Sequence, residues 1–247
     1  MNFLVLAEYQ KVLGNRDEYL IENPDELSHI RSILKMEENS VLRVVVLGKG
    51  RTTARIKEFT SDFAKIEVDN EGFTKGATKY ISLGLGGLRP GMAKRVIEHS
   101  TTLGVKEIHF FPSDLSEKSY FDSNVFKNER YLKYMTRGIA QSGNYDCLPS
   151  LVIHKNIQEF NFDKYSKVCF LHKGNHGKYF SKEIADSENV MLLVGPERGW
   201  SADEINDFRS KNFEEIIISE AILRVEFAVN ASLSQLENIR NSNLSKF

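Results

Sequence analysis

Towards its C-terminus the chain alternates short apolar runs with segments of helical period. The first run, at 191–194, stops at Gly195 and a proline, which predicts a buried strand that ends in a tight turn. Ser201 and Glu204 have the spacing of a capping box, in which two residues satisfy each other's backbone N–H groups. A helix is therefore expected to begin at Ala202.

A second segment of the same kind follows. An apolar run at 215–219 predicts another strand, and from Ala221 the apolar residues fall on one side of a helix. The residues on that side are Ile222, Val225, Val229, Leu233 and Leu236. In an open parallel sheet, ligands bind beyond the carboxyl ends of the strands, where helix N-termini present free backbone N–H groups. The two segments together therefore predict a ligand site.

The N-terminal part of the chain is rich in short strand-like runs. One short helix is expected there, with Asn23 as its cap and Pro24 in its first turn. The turn around Gly48 is of the kind found in hairpins. The expected strands are 3–7, 41–47, 52–59 and 64–68. Several short strands with one short helix suggest a small β-barrel domain, which we assign to 1–72.

After a polar stretch the pattern changes to strands that alternate with helices. Further strands are expected at 80–85, 107–111 and 167–171, and helices at 91–103 and 125–141. This alternation is typical of an α/β sheet. The predicted fold class is therefore α/β, with a second domain at 76–247.

Composition limits the class of protein more than it identifies a function. Hydrophobic residues make up 41% of the 247 residues, charged residues 27%, and the net charge is −1. This balance argues against a strongly basic coat for nucleic acid but allows a local basic patch. Cys147 and Cys169 are too few for a disulfide framework and are expected to be reduced and buried. No signal-peptide pattern or membrane-spanning run is visible, so we expect a cytoplasmic protein without a membrane partner.

Two C-terminal motifs resemble a known family. Gly-Pro-Glu-Arg-Gly-Trp-Ser at 195–201 and Ile-Leu-Arg-Val-Glu-Phe-Ala at 222–228 resemble the last two motifs of the RsmE-type 16S rRNA uridine-N3 methyltransferases, of the SPOUT superfamily. The resemblance implies a PUA-like β-barrel that helps to hold rRNA, and a SPOUT α/β domain with a trefoil knot. It also implies S-adenosylmethionine as cofactor, 16S rRNA in the 30S subunit as substrate, and a homodimer.

The resemblance further implies roles for individual residues. Arg224 begins a helix, where a cation opposes the helix dipole, so helix stability does not explain it. Its planar guanidinium suits a uridine carbonyl or a phosphate, which makes it the first catalytic candidate. Glu226 is the second candidate, although an acid is favoured in any first helical turn. The candidates for binding the cofactor are Leu171, His172, Val194, Gly195, Pro196, Glu197, Gly199, Ile218, Ser219, Ala221 and Leu223.

Some positions depart from the family pattern. Ala140 and Asn144 stand where the family has Glu and Arg, and Arg198 stands where it has Gly. Val225 and Phe227 replace two threonines. These positions are expected to face RNA or the active site. Two alternatives therefore stay open: a diverged SPOUT methyltransferase acting on another RNA, and a knotted RNA-binding protein without catalysis.

A basic stretch lies on the predicted hairpin of the first domain. From Arg43 to Lys57 there are bases and no acid, which suits phosphate contacts but also fits a solvated hairpin face. The candidates for RNA binding are Arg43, Lys49, Arg51 and Arg55, together with Arg89 before the first helix of the second domain. No metal is expected, because His172 and His176 are separated by a glycine and lack further ligands at known spacings.

Overall fold

A computed structural model of the chain describes residues 3–15, 17–77 and 79–242. The chain forms two compact units. The first consists of Met1–Thr78 and Ile139–Leu148, and the second of Lys79–Gly138 and Pro149–Phe247. Residues 1–2 and 243–247, at the outer ends of the two predicted domains, lie outside the described residues.

The first unit is built on a five-stranded sheet in the order β1-β3-β4-β5-β2. β1 runs parallel to β3, and the other neighbours are antiparallel. The strands are β1 (Leu4–Leu6), β2 (Glu18–Ile21), β3 (Val41–Val46), β4 (Gly50–Phe59) and β5 (Ala64–Val68). The hairpin turn predicted between β3 and β4 is confirmed, with Gly48 at a φ of 79°, where glycine is favoured.

One face of this sheet carries the core of the first unit. Along β4, Ala54 and Ile56 are buried while their neighbours in the sequence are exposed, as the pleat requires. Helix α1 (Pro24–Ser28) packs Leu27 into the same core. It begins as predicted, because the Asn23 side chain accepts a hydrogen bond from the Asp25 N–H at 2.9 Å.

The opposite face of the sheet is partly covered by the segment Ile139–Leu148. Val5 and Val45 pack there against Ile139 and Ala140. The Phe3 N–H also donates to the Ala140 carbonyl at 3.0 Å. The expectation that position 140 faces RNA or the active site was therefore wrong, because Ala140 is only 2% exposed and belongs to this apolar cluster.

The second unit contains a six-stranded sheet in the order β11-β9-β10-β6-β7-β8. All neighbouring strands are parallel. The strands are β6 (Ile81–Gly86), β7 (Glu107–Phe111), β8 (Ser150–Ile153), β9 (Lys167–Leu171), β10 (Val190–Val194) and β11 (Glu214–Ile216). β10 is buried at every position, which explains its uninterrupted apolar sequence. The predicted α/β class is thus confirmed for this part of the chain.

The remaining helices are α2 (Pro90–Thr102), α3 (Leu132–Ser142), α4 (Lys182–Ala185), α5 (Ala202–Ser210) and α6 (Val225–Asn241). The predicted start of α5 is confirmed. The Ser201 hydroxyl accepts from the Glu204 N–H at 3.1 Å, and the Glu204 carboxylate accepts from the Ser201 N–H at 2.8 Å. Among the described residues, no helix combines the length and apolar character that crossing a bilayer requires.

Two element boundaries near the predicted site were wrong. α6 begins at Val225 rather than at Ala221, because Arg224 has an extended conformation (φ −65°, ψ 155°) and is the helix cap. Ile222, assigned to the apolar side of the helix, is instead 89% exposed. β11 ends at Ile216, and the next N–H donates to the Lys178 carbonyl outside the sheet, at 2.9 Å.

Other differences have local causes. The helix expected at 125–141 begins only at Leu132, because Asn128 and Glu129 have positive φ angles of 50° and 53° that interrupt a right-handed helix. β2, β8 and α4 were not predicted, and all three are only four residues long. Cys147 is exposed rather than buried.

A polar network lies on one face of the second sheet. The Glu107 carboxylate accepts hydrogen bonds from the Tyr165 hydroxyl at 2.7 Å and the Ser82 hydroxyl at 3.1 Å, and its Oε2 is 3.3 Å from His109 Nε2. His109 Nδ1 is 3.0 Å from His154 Nε2. Burial alone raises the pKa of Glu107, but the hydrogen bonds outweigh it and lower the pKa to about 2. Burial lowers the pKa of both histidines.

We predict that this network makes the free energy of unfolding fall as the pH is lowered from about 7 to about 5. In that range the two histidines bind protons more readily in the unfolded chain than in the folded one, where His109 is buried and His154 is half-buried, so acid favours unfolding. Glu107 adds to the loss only at still lower pH. The measurement is urea denaturation at a series of pH values.

His154→Phe should reduce this pH dependence, since it keeps a ring stacked on Phe111, 4.7 Å away, and removes one titrating group. His176→Phe is the matched control, because it removes an exposed histidine from a loop. An equal reduction in both variants would contradict a role for the network.

Candidate functional site

A cavity of about 1000 Å³ lies in the second unit, beyond the carboxyl ends of β9, β10 and β11. Three loops, each following one of these strands, form most of its wall, and the start of α2 forms another part. This is the edge of a parallel sheet where ligands are expected. The cavity is therefore the candidate functional site.

The loop after β10 is a tight turn that depends on two glycines. The Gly199 N–H donates to the Pro196 carbonyl at 2.8 Å, and Gly199 has a φ of 76°. A Cβ on Gly195 would lie 3.1 Å from the carbonyl carbon of Gly199 and 3.2 Å from the Trp200 nitrogen. Glycine at 195 thus lets the two ends of the turn approach each other.

The loop after β11 is held from both sides. The Gln235 amide on α6 donates to the Ile218 carbonyl at 3.0 Å, and the Ser219 hydroxyl accepts from the Ala221 N–H at 3.1 Å. The φ of Ser219 is not positive, so this position of the loop does not require a glycine. The Lys173 ammonium, from the loop after β9, donates to the Glu220 carbonyl and joins the two loops.

The structure brings the predicted cofactor-binding residues together. The cavity is lined by Leu171, His172, Val194, Gly195, Pro196, Glu197, Gly199, Ile218, Ser219, Ala221 and Leu223. Arg224 also lines it and is exposed, and its guanidinium makes no hydrogen bond or ion pair among the described residues. Glu226 does not line the cavity. It is 6% exposed on the buried side of α6, and its Oε2 has no hydrogen-bond partner among the described residues.

Positive charge dominates the rim of the cavity. The basic residues that line it are Arg89, Arg95, Lys173, Arg198 and Arg224, and the acidic residue that lines it is Glu197. Glu197 accepts a hydrogen bond from the Arg89 N–H at 3.2 Å, so it also orders the start of α2. A concave site with an excess of cations attracts a polyanion.

The basic hairpin lies in the first unit. Arg43, Arg51 and Arg55 point to the exposed face of the β3-β4 pair, where Arg43 is opposite Thr53 and Arg55 is opposite Val41. Lys49 is exposed in the connecting turn. The hairpin thus presents its charges to solvent, as a phosphate-binding surface requires.

Comparison with known proteins identifies the family. Residues 76–237 match the model of the RNA methyltransferase domain. The chain is 31% identical to ribosomal RNA small subunit methyltransferase E 1 of Borreliella burgdorferi, over 85% of this chain and 88% of that protein. It is 24% identical to ribosomal RNA small subunit methyltransferase E of Treponema pallidum, over 83% and 79% of the two chains. The chain belongs to the ribosomal RNA small subunit methyltransferase E family.

The fold agrees with this membership. A crystal structure of ribosomal RNA small subunit methyltransferase E from Neisseria gonorrhoeae, bound to S-adenosyl methionine, superposes with a TM-score of 0.73. The alignment covers 96% of this chain and 98% of that one at 18% identity. The resemblance of the two C-terminal motifs to the methyltransferase E family is thus confirmed.

Sequence reasoning missed several residues of this methyltransferase's cavity. Trp200, 6% exposed, lines it, and so do Arg95 and Lys173. Trp200 directly follows the glycine turn, and this position in the sequence could have predicted it as a lining residue. Arg95 and Lys173 reach the cavity only because of the fold. Within 3–15, 17–77 and 79–242, no three His, Cys, Asp or Glu side chains converge as a metal site.

We predict that Gly195→Val lowers the free energy of unfolding by about 1–3 kcal/mol, because a side chain there must displace the backbone of the turn. Gly91→Ala is the control, since a Cβ on this helical glycine meets nothing within 4 Å. It should be neutral or stabilising by up to about 1 kcal/mol. Urea denaturation measures both, and similar losses in the two variants would argue against a close-packed turn.

Proposed function

We propose that this chain is a cytoplasmic, S-adenosylmethionine-dependent methyltransferase that methylates N3 of a uridine in 16S rRNA of the small ribosomal subunit. The observation that carries the proposal is the cavity itself. The two motifs that resemble the family are far apart in the sequence, and both line it. We take the rRNA substrate from the names of the relatives. We take the cofactor from the S-adenosyl methionine bound to the Neisseria gonorrhoeae protein.

The residues of the cavity fit S-adenosylmethionine. Its volume is at the upper end of the range for small-molecule sites, about 300–1,000 Å³, which leaves room for a nucleobase beside the cofactor. Apolar side chains such as Leu171, Ile218 and Leu223 suit the adenine ring. At Gly195 no side chain covers the backbone, so the cofactor can approach the main chain of this turn. These residues would hold the cofactor.

S-adenosylmethionine supplies an electrophilic methyl group on a sulfonium sulfur. N3 of a neutral uridine carries a proton, which must leave before or during attack, so negative charge develops on the ring. The Arg224 guanidinium is suited to stabilise that charge, because it lines the cavity and its donors have no partner within the part of the chain that the structure describes. Glu226 lies behind the wall, so we assign it a supporting role next to Arg224 and no direct contact with the base.

The remaining features belong to the same proposal. We propose a PUA-like barrel at 1–72 that holds rRNA through Arg43, Lys49, Arg51 and Arg55, and a knotted SPOUT domain at 76–247. The exposed basic face of the β3-β4 hairpin supports the first assignment. We also propose a homodimer, which is supported by the exposure of two apolar residues near the cavity, Ile222 at 89% and Phe227 at 57%.

Arg224→Ala should lower the rate of methyl transfer by about 10²–10³, because it removes one donor to the developing charge. The assay is transfer of a labelled methyl group into 30S subunits that lack the modification, followed by mass spectrometry of the nucleosides. Arg130→Ala, which removes an exposed arginine that does not line the cavity, is the control and should keep full activity.

The same assay separates the alternatives. A 3-methyluridine product that depends on Arg224 supports the proposal. Cofactor binding without product would favour another RNA substrate, for which Asn144, Arg198 and Phe227 are the positions to exchange. Neither binding nor product would favour an RNA-binding protein without catalysis.

Cofactor binding should change the emission of Trp200, which is the single tryptophan of the chain and lines the cavity. Titration with S-adenosylmethionine is expected to give a saturable change, and calorimetry on the same sample should give the same dissociation constant. Free methionine, which lacks the adenosine, is the control ligand. Unchanged emission despite measured binding heat would mean that the ligand occupies another site.

A further inference from the structure

A second, smaller cavity of about 420 Å³ lies in the first unit, on the exposed face of the β3-β4 hairpin. Phe3, Arg43, Arg51, Thr53 and Asp69 contribute to its wall. Its three charged side chains form no ion pair among the described residues. They converge on open space, which is the arrangement of a ligand site rather than of an internal salt bridge.

One wall is a stack of planar groups. A Cβ on Gly143 would lie 2.0 Å from the Phe3 ring, so only glycine lets Phe3 pack there. The Arg43 guanidinium lies over the Phe3 ring at 4.9 Å from its centre. The guanidinium is thereby fixed in orientation, and its remaining face is available for a further planar group.

The cavity is also lined by the Asp69 carboxylate, one oxygen of which is held by the backbone. Asp69 Oδ1 accepts from the Glu71 and Gly72 N–H groups at 3.0 and 3.2 Å, which fixes the side chain. Oδ2 has no hydrogen-bond partner among the described residues. A Cβ on Gly72 would lie 2.7 Å from Oδ2, so glycine leaves the space next to this oxygen open.

The third charged group is suited to a phosphate. The backbone of Arg51 is fixed by two hydrogen bonds with Thr74, at 2.9 and 2.8 Å. Its guanidinium makes no hydrogen bond or ion pair among the described residues. Arg51 directly precedes Thr52, whose hydroxyl donates to the Asp69 carbonyl at 2.8 Å and so holds the backbone of the residue that carries the carboxylate.

We propose that this cavity binds one unstacked nucleotide of the RNA substrate, with a base that carries an exocyclic amino group. The base lies on the free face of Arg43, its amino group donates to Asp69 Oδ2, and the Arg51 guanidinium contacts a neighbouring phosphate. Uracil has no amino group to offer to this oxygen, so cytosine is preferred over uracil. The inference rests on the proposed function only in taking RNA as the partner.

The test is fluorescence anisotropy of the full chain with labelled short oligocytidylate and oligouridylate. The wild-type chain should bind oligocytidylate about fivefold or more tightly. Asp69→Asn keeps a carbonyl oxygen for the Glu71 and Gly72 N–H groups but can present an amide N–H₂ to the base. This variant should therefore bind oligocytidylate and oligouridylate with nearly equal affinity. A preference that is absent in the wild-type chain, or unchanged in Asp69→Asn, overturns the proposal.

Arg43→Lys tests the stacking surface, because it keeps the charge but not the plane. It should weaken binding of both oligonucleotides by about fivefold or more. Arg31→Lys is the matched control, since the Arg31 guanidinium also lies over an aromatic ring, 4.8 Å from the centre of Phe59, but does not line the cavity and donates instead to the Thr60 carbonyl at 2.6 Å. Equal effects of the two changes would mean a charged surface and no base site.

Calorimetry with S-adenosylmethionine on every variant measures cofactor binding independently of nucleotide binding. It therefore distinguishes a failure of this inference from a failure of the proposed function. Unchanged cofactor binding together with lost nucleotide preference supports a separate base site in the first unit. A chain that shows the nucleotide preference but binds no cofactor would overturn the methyltransferase proposal and leave this one standing.

Discussion

The candidate site depends on the parallel arrangement of three strands at one end of the second sheet. β10 pairs with β9 and β9 pairs with β11, all in the same direction, so the three following loops leave the sheet at the same edge. Hydrogen bonds then tie the loops to each other. The His172 N–H donates to the Ile216 carbonyl at 3.1 Å, and Gln235 holds the Ile218 carbonyl from α6. Without this common direction the two C-terminal motifs would not share one cavity.

The chemistry of the cavity depends on which of its charged side chains already have partners within the protein. Glu197 is engaged with the start of α2, whereas the guanidinium of Arg224 is held by no other group among the described residues. A cation without an internal partner is available to a ligand. Glu226, by contrast, is on the buried side of α6. Its carboxylate therefore cannot contact a substrate in the cavity directly. Pairing and burial thus distinguish two residues that are separated by one position in the sequence.

In the first unit, too, the covered and uncovered parts of the sheet decide where charged side chains are available. Its core lies on one face of the sheet, and Ile139–Leu148 covers part of the other. The uncovered part of that face carries Arg43, Arg51 and Arg55, which explains why a chain with a net charge of −1 still has a basic surface. Ala140, which departs from the family pattern, is buried here in the apolar cluster between this segment and the sheet.

The sequence by itself determined the local elements and the family. The bounds of β7 and β9 and the start of α5 were predicted to the residue, because apolar runs and helix caps involve neighbours in the chain. The motifs at 195–201 and 222–228 were enough to indicate two of the loops that line the cavity. Only the tertiary structure decided that Glu226 and Ala140 are buried, that α6 begins after Arg224, and that Asp69 and Arg43 line one cavity. These depend on contacts between distant segments, and no local pattern reports which distant side chain will cover or meet another.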